Sequence, residues 1–127
     1  MRILIVEDAA LVRKMYALAF PSHQHELVPA ENGRAALDLL RQTTGGFDLI
    51  LLDLRMPDMD GVAFISELRQ RAPRFRHVPI IVTTAEPEDS PLLAEARALG
   101  IQAVVRKPWK PQELRETAAR VTGVDAV

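Results

Sequence analysis

Short apolar segments recur along the whole chain, separated by longer segments that mix apolar and polar residues. Four of them, at 3–6, 49–52, 78–82 and 101–105, are rich in Ile, Leu and Val at successive positions. A fifth and weaker segment surrounds Leu27 and Val28. Continuous apolar runs of this length are typical of strands that are covered on both faces, as in a parallel sheet. We therefore predict four buried strands, with an edge strand at the weaker segment.

After each apolar run, apolar residues recur three or four positions apart, which is the spacing of one helical face. The positions that form these five stripes are Leu11, Met15, Leu18 and Ala19, then Ala36, Leu37 and Leu40, then Ile65 and Leu68, then Leu92, Ala96 and Leu99, and finally Leu114, Ala118 and Val121. Residues typical of helix ends support them: Asp60-Gly61, Ser90-Pro91 and Pro111 at three starts, and Gly100 at one end. Residues 122–127 are expected to form a fraying helix end.

Five alternations of strand and helix, joined by short connections, predict a doubly wound α/β domain with a parallel sheet. The chain has 127 residues, which suits one domain spanning 1–127 and leaves no room for a second core. Hydrophobic residues make up 48% and charged residues 26%, as in folded globular proteins. We therefore expect one core and one principal site.

Charge and cysteine content exclude several classes of function. Lys and Arg total 16 against 17 for Asp and Glu, so no broad positive field favours nucleic acid or an anionic membrane. The absence of cysteine excludes disulfides and thiolate chemistry and fits the reducing cytoplasm, where we expect the protein. The first apolar run is too short for a signal peptide or a membrane span. With no recognition helix left over, we expect no direct contact with nucleic acid or membrane.

Polar residues follow the predicted strands at the positions where ligands bind in open α/β sheets, outside the carboxyl ends of the strands. Glu7 and Asp8 follow the first strand, Asp53 follows the third, Thr84 the fourth and Lys107 the fifth. Because the strands are parallel, these ends meet at one edge of the sheet. The sequence therefore predicts that three acids, a hydroxyl and an ammonium converge there.

Each of these residues also has a simpler explanation when it is considered alone. Asp8 would serve as a helix cap, Thr84 as a β-branched strand residue, and Lys107 as a surface lysine with a buried stem. Asp53 is harder to explain in this way, because an unpaired carboxylate at the mouth of a buried strand costs free energy. The coincidence of all of them at one edge favours a shared site.

Clustered carboxylates repel one another unless a cation lies between them, and Mg²⁺ is the hard, oxygen-loving ion that we expect. Mg²⁺ keeps several waters and shares itself with phosphate oxygens, which points to phosphoryl transfer. An aspartate attacks phosphorus as a nucleophile when nearby cations neutralise the transferred group. We assign Asp53 as the nucleophile, Glu7 and Asp8 as metal ligands, Lys107 as the partner of the phosphoryl group, and Thr84 as a hydrogen-bond donor to it.

Five segments carry a resemblance to a known family in their order, spacing and local motifs. They are Ile3-Leu4-Ile5-Val6-Glu7-Asp8, Glu31-Asn32-Gly33, residues 51–61 (LLDLRMPDMDG), Val82-Thr83-Thr84-Ala85 and Lys107-Pro108-Trp109. Over essentially its whole length, the chain resembles the receiver domains of bacterial two-component response regulators.

This resemblance implies a flavodoxin-like (βα)5 fold with strand order 2-1-3-4-5, the arrangement of chemotaxis receivers among doubly wound folds. It implies phosphorylation of Asp53 by a sensor histidine kinase or a phosphotransfer protein, with Mg²⁺ held by Glu7, Asp8, Asp53 and the backbone carbonyl of Arg55. It also implies a cis peptide before Pro108. The chain would then be a signalling phosphoprotein and not an enzyme, with no chemistry beyond its own phosphorylation and dephosphorylation.

Two positions depart from the pattern of the family, and two others vary within it. Val104 stands where relatives usually carry an aromatic residue that rotates on activation, which puts the usual coupling of Thr84 to the output surface in doubt. Lys110 stands where many relatives place a capping Ser or Thr. Arg55 and Glu86 flank the path of water to the phosphoryl group, and we expect either a mutual ion pair that slows hydrolysis or two independent solvated charges.

Alternatives from other classes remain open. A phosphatase of the haloacid dehalogenase type would need a second acid at the position of Arg55, which has no acceptor and no proton to give. A nucleotide or flavin binder would need a phosphate loop where Glu7 and Asp8 stand. A phosphorylation-independent interaction domain is supported by Val104. The resemblance also implies a downstream protein target and allows a phosphorylation-dependent dimer. His23 and His25 are interpreted as surface residues.

Overall fold

The computed structural model describes residues 1–124, in which strands and helices alternate along the chain. The elements are β1 (Arg2–Val6), α1 (Ala10–Ala19), β2 (Glu26–Ala30), α2 (Gly33–Gln42), β3 (Leu49–Asp53), α3 (Gly61–Arg71), a 3₁₀ turn (Pro73–Phe75), β4 (Ile80–Thr84), α4 (Pro91–Ala98), β5 (Ala103–Arg106) and α5 (Pro111–Thr122). This confirms the predicted alternation. None of the helices within residues 1–124 has the length and apolar character that a membrane span requires.

The five strands form one parallel sheet in the order β2-β1-β3-β4-β5, which confirms the predicted flavodoxin-like topology. All residues of β3 and β4 are buried. β2 lies at an edge, and of its five residues only Ala30 is fully buried, as the weak apolar run predicts. Its Pro29 has no backbone N–H to donate, a feature that is tolerated at sheet edges.

The fourth and fifth strands begin two residues later than the apolar runs indicate. The N–H of Val78 donates to the carbonyl of Phe75 in a turn, so it is not available to the sheet. Pro79 has no N–H, and β4 therefore starts at Ile80. Hydrophobicity alone does not reveal these competing hydrogen bonds.

The two faces of the sheet are covered by separate groups of helices. Alternate side chains of a strand point to opposite faces. Leu4, Ile50 and Leu52 pack in the core beneath α2, α3 and α4, whereas Ile3 and Leu51 pack in the core beneath α1 and α5. Asp53 continues the second series, so its side chain projects on the α1 and α5 side at the carboxyl edge.

Side-chain caps fix where three of the five α-helices within residues 1–124 begin. The side chains of Asn32, Asp60 and Ser90 accept hydrogen bonds from the first turns of α2, α3 and α4. The N-cap of α1 is Ala9, so capping does not account for Asp8. The N-cap of α5 is Lys110, which makes no side-chain cap, as expected from the missing Ser or Thr.

The predicted helix ends are placed as follows. α4 stops at Ala98, and Gly100 follows it with a φ of 89°. α5 ends at Thr122, and Gly123 adopts a left-handed φ of 73°, a conformation that favours glycine. The remainder of the predicted fraying end, residues 125–127, lies outside the described residues.

One surface assignment is wrong. His25 is 93% buried, because its relative exposure is 7%. Its ring packs edge-on against Phe20 with centroids 5.4 Å apart, and its Nδ1 lies 3.1 Å from the amino group of Met1. Phe20, which directly follows α1, and the chain terminus lie against this histidine, and its local sequence carries no signal of either.

We predict that Gly61→Ala lowers the free energy of unfolding by about 2 kcal/mol, the cost of overpacking a tight contact. A Cβ at Gly61 would lie 2.8 Å from the carbonyl oxygen of Asp53 and 2.9 Å from Cα of Leu54, both backbone atoms. Gly46→Ala is the matched control, because a Cβ there meets nothing within 4 Å. Urea unfolding of both variants measures the difference, and equal stabilities would contradict the close approach.

Candidate functional site

Three carboxylates meet at the carboxyl edge of the sheet. Glu7 and Asp8 follow β1 and Asp53 ends β3, and these two strands are neighbours in the sheet. One oxygen from each carboxylate lies within 4.8 Å of the others. Glu7 and Asp53 are buried and Asp8 is exposed, so the cluster, hereafter the acidic site, opens to solvent on one side. Oxygen ligands with an open side suit a hydrated divalent cation such as Mg²⁺.

The ammonium group of Lys107 lies against two of these acids. Its Nζ is 2.9 Å from Oε1 of Glu7 and 3.5 Å from Oδ1 of Asp53. The backbone N–H of Lys107 donates to the carbonyl of Thr84 at 2.9 Å, which fixes the start of the side chain at the end of β4. The structure therefore brings the predicted lysine to the predicted acids.

Burial dominates the electrostatics of the acidic site. It raises the pKa of Glu7 and of Asp53 above the usual range of a carboxyl group, because both lose hydration when charged. The ammonium group of Lys107 lowers both pKa values. Repulsion by Asp53 raises the pKa of Glu7, and repulsion by Asp8 raises the pKa of Asp53. One ammonium thus compensates three acids incompletely, and a further cation would relieve the remaining repulsion.

The loops after β3 and β4 border the acidic site. The N–H of Arg55 donates to Oδ1 of Asp53 at 3.3 Å, so the backbone folds around the carboxylate. Thr84 is buried, and its hydroxyl accepts a hydrogen bond of 3.0 Å from the N–H of Glu86. That hydroxyl is therefore engaged with the loop in this structure.

Arg55 and Glu86 form the ion pair that the sequence raised as one of two alternatives. Nε and Nη2 of Arg55 lie 3.1 and 3.0 Å from the two carboxylate oxygens of Glu86, a bidentate geometry. The pair lowers the pKa of Glu86, to which the hydroxyl of Ser90 also donates at 2.7 Å. Since Ser90 caps α4, one carboxylate links the loop after Asp53 to the start of that helix.

Val104 is partly buried and packs against the core beneath α3 and α4. Arg106, two residues further along β5, contacts the loop after β4 through its side chain. Sequence reasoning missed this role. The guanidinium of Arg106 donates to the backbone carbonyl of Glu86 and lies 2.5 Å from Oε2 of Glu88. Glu88 also pairs with Arg97 of α4 at 2.6 Å. A charged residue at a strand end gave no signal of these partners, which are distant in sequence.

Tyr16 and Thr83 form a buried polar contact beside the acidic site that sequence reasoning also missed. Their hydroxyl groups are 2.6 Å apart. Tyr16 stacks on Trp109, with ring centroids 5.0 Å apart and an interplanar angle of 23°. Burial raises the pKa of the Tyr16 phenol further above its usual range, so the group stays neutral. The apolar stripe predicted for α1 left out Tyr16 and included Leu11 and Leu18, which are exposed.

The profile of the response regulator receiver domain matches residues 3–119 of the chain. This chain belongs to the response regulator receiver domain family. Chemotaxis protein CheY of Pseudomonas aeruginosa is 30% identical to this receiver domain over 126 residues, 95% of each chain. Regulatory protein AtoC of Escherichia coli is 39% identical over 113 residues, which are 89% of this chain and 23% of AtoC. The receiver domain thus corresponds to a small part of that longer relative.

A solved structure gives the same fold. The receiver domain of a sensor histidine kinase from Pseudomonas aeruginosa PAO1, described with a magnesium ion coordinated in the active site cleft, superimposes with a TM-score of 0.83. It is 27% identical, and the match covers 97% of this chain and 98% of that one. The peptide between Lys107 and Pro108 is cis, as the resemblance implied.

We predict that Asp53→Asn raises the free energy of unfolding of the metal-free receiver domain by about 1 kcal/mol at neutral pH, a typical size for the effect of one substitution. The amide is isosteric and removes a desolvated charge that repels Asp8 and Glu7, while Lys107 keeps its partner in Glu7.

Asp38→Asn is the control for this prediction, because Asp38 is exposed and, among residues 1–124, its ion pair is with Arg41 at 3.5 Å. Urea unfolding in the presence of a chelator measures both variants. A loss of stability in Asp53→Asn would contradict the argument that the acidic site is under electrostatic strain.

Proposed function

We propose that this receiver domain is the Mg²⁺-dependent phosphoacceptor of a two-component system. Asp53 would accept a phosphoryl group from a sensor histidine kinase or a phosphotransfer protein. The observation that carries the proposal is the convergence of Glu7, Asp8 and Asp53 on one side of a lysine ammonium. The lack of cysteine fits the cytoplasm, which we include in the proposal as the location.

The donor set fits Mg²⁺. Glu7, Asp8 and Asp53 supply carboxylate oxygens, and the backbone carbonyl of Arg55 is proposed as a fourth ligand. Few protein ligands and an open side suit an ion that keeps several waters and shares itself with phosphate. Bound there, Mg²⁺ would neutralise charge on the oxygens of the transferred phosphoryl group.

The side chains of the chain have distinct tasks in the transfer. A carboxylate oxygen of Asp53 forms the new bond to phosphorus, and the bond from phosphorus to the donor nitrogen breaks, its electron pair leaving with the donor imidazole. Lys107, already 3.5 Å from Asp53, pairs with the phosphoryl oxygens. Thr84 donates a hydrogen bond from its hydroxyl to one of them, and its oxygen can still accept from the N–H of Glu86.

Output would pass through the loop after β4, since Val104 has no ring to rotate. Glu86 contacts Arg55, and the cap residue Ser90 contacts Glu86. A change at Thr84 would therefore reach the start of α4 through a hydrogen-bonded chain. We propose that the altered surface is recognised by a downstream protein, with dimerisation on phosphorylation as one form of that output.

The receiver domain is proposed as a signalling protein whose chemistry is limited to its own phosphorylation and dephosphorylation. A phosphatase of the haloacid dehalogenase type is disfavoured because Arg55 stands at the position of the general acid. Its guanidinium is also paired with Glu86. Phosphorylation-independent binding is the second candidate, and Val104 is the residue that favours it.

We predict that acetyl phosphate with Mg²⁺ adds the mass of one phosphoryl group to the receiver domain. The addition requires Asp53, so Asp53→Asn stays unmodified, and it requires the metal, so a chelator abolishes it. Intact-mass spectrometry measures all three samples.

Asp58→Asn is the matched control for this prediction. Asp58 is an exposed acid close to the acidic site whose φ is 68°, a left-handed conformation that asparagine also adopts. This variant is expected to be modified like the wild type. No modification of the wild type, with a known receiver domain modified in parallel, would favour the phosphorylation-independent reading.

We predict that Arg55→Ala shortens the lifetime of the acyl phosphate about threefold, which corresponds to roughly 0.7 kcal/mol of hydrolysis barrier. The ion pair with Glu86 lies beside Asp53 and would restrict the approach of water. Arg97→Ala is the control, because Arg97 pairs with Glu88 and leaves Arg55 in place. Decay of the phosphorylated mass after removal of donor measures the lifetimes, and equal decay of wild type and Arg55→Ala would exclude shielding.

A further inference from the structure

Tyr16 is a fully buried polar side chain that the proposed phosphoryl transfer does not use. It belongs to α1, yet its hydroxyl lies 2.6 Å from the hydroxyl of Thr83 on β4. Thr83 pairs in register with Asp53 of β3, so the tyrosine reaches the sheet one strand away from the phosphoacceptor. A buried hydroxyl pair holds its two partners in one geometry, because separating them leaves both groups without water.

The ring of Tyr16 supports Trp109, which is 5% exposed. The two rings are stacked with centroids 5.0 Å apart. Stacked aromatic pairs contribute beyond the area they bury and prefer a defined offset. Tyr16 therefore connects β4, through its hydroxyl, to the segment between β5 and α5, through its ring.

Lys107 begins that segment, which spans residues 107–110, and Trp109 lies towards its other end. The Lys107 end is held by its backbone hydrogen bond to Thr84, and the Trp109 end by Tyr16. Lys107 borders an apolar cleft of about 300 Å³, which Val12, Met15 and Trp109 also line. Space in that cleft leaves the lysine free to swing away from Glu7 and Asp53 unless the segment itself is fixed.

We propose that Tyr16 is a positioning residue for Lys107: by holding Trp109 against β4, it keeps the lysine ammonium at the acidic site. The positioning is a property of the unphosphorylated chain. Its effect on phosphoryl transfer rests on the proposed function, because only there does Lys107 pair with the transferred group. Misplacing a catalytic group by a fraction of a bond length lowers the rate without removing the group.

The position of Lys107 can be measured without phosphorylation. The chain has three lysines, Lys14, Lys107 and Lys110, so ¹³C-lysine labelling gives a simple spectrum. In the wild type, relaxation of the Lys107 Cε methylene should report an ordered side chain, with the exposed Lys14 and Lys110 as mobile references. Tyr16→Leu is expected to lower the Lys107 order towards theirs, and Tyr16→Phe, which keeps the ring, to lower it less.

Phe20→Leu is the matched control. Phe20 is a second fully buried aromatic residue of the same core, and its ring packs against His25. The Phe20→Leu variant should be less stable than the wild type, with the order of the Lys107 side chain unchanged. Urea unfolding establishes that each variant is folded, and Tyr16→Phe carries the test if Tyr16→Leu is not.

Phosphorylation by acetyl phosphate at saturating Mg²⁺ gives the second readout. Tyr16→Leu should lower the rate about tenfold in the wild-type background, the scale expected for a displaced catalytic group. In a Lys107→Ala background the same substitution should change the rate less than about twofold, because a residue that acts through the lysine has nothing left to position. Equal losses in both backgrounds would mean that Tyr16 acts on stability alone and would overturn the inference.

The two proposals fail separately. Unchanged order of Lys107 in both Tyr16 variants would overturn the positioning role, whatever the phosphorylation assay gives. If acetyl phosphate does not modify the wild type, the proposed function is rejected. If the Tyr16 variants nevertheless lose order at Lys107, the positioning role is still supported.

Discussion

The receiver domain is organised around two buried carboxylates that share one ammonium. Glu7 and Asp53 end neighbouring strands of a parallel sheet, so the fold itself brings them together and removes them from water. Parallel strands cannot separate two such residues, because their carboxyl ends lie at the same edge. Lys107 offsets the cost in part. The negative charge that remains uncompensated favours the binding of a cation at this edge of the sheet.

The residues that hold the acidic site in place lie on both faces of the sheet. Lys107 is held through β4 and through the rings of Tyr16 and Trp109 on one face of the sheet. On the other, the loop after β4 is held by Arg55 and by the guanidinium of Arg106. The two faces have separate cores, so a displacement at the edge has two independent routes into the molecule.

The alternation of strands and helices and the central residues were predictable because they rest on patterns local in sequence, whereas the strand order was implied only by the family resemblance. Continuous apolar runs marked the strands, and each of the predicted acids stood one or two positions after one. The supporting residues were not predictable in the same way. Tyr16 contacts Thr83, which is 67 positions away, and Arg106 contacts a loop 20 positions away. Such pairs depend on how helices lie on the sheet, and a single sequence carries no periodicity that encodes it. His25 was misassigned for the same reason.

The edge strand β2 limits how other chains approach this domain. Glu26 and Ala30 direct their backbone groups towards β1, through the bonds to Met1 and from Glu7. By alternation, Leu27 and Pro29 face outwards, and proline has no N–H. Within β2, this leaves Leu27 as the one outward donor, too few for a foreign strand to extend the sheet. A strand of another chain would therefore find few backbone groups to pair with along this edge of the sheet.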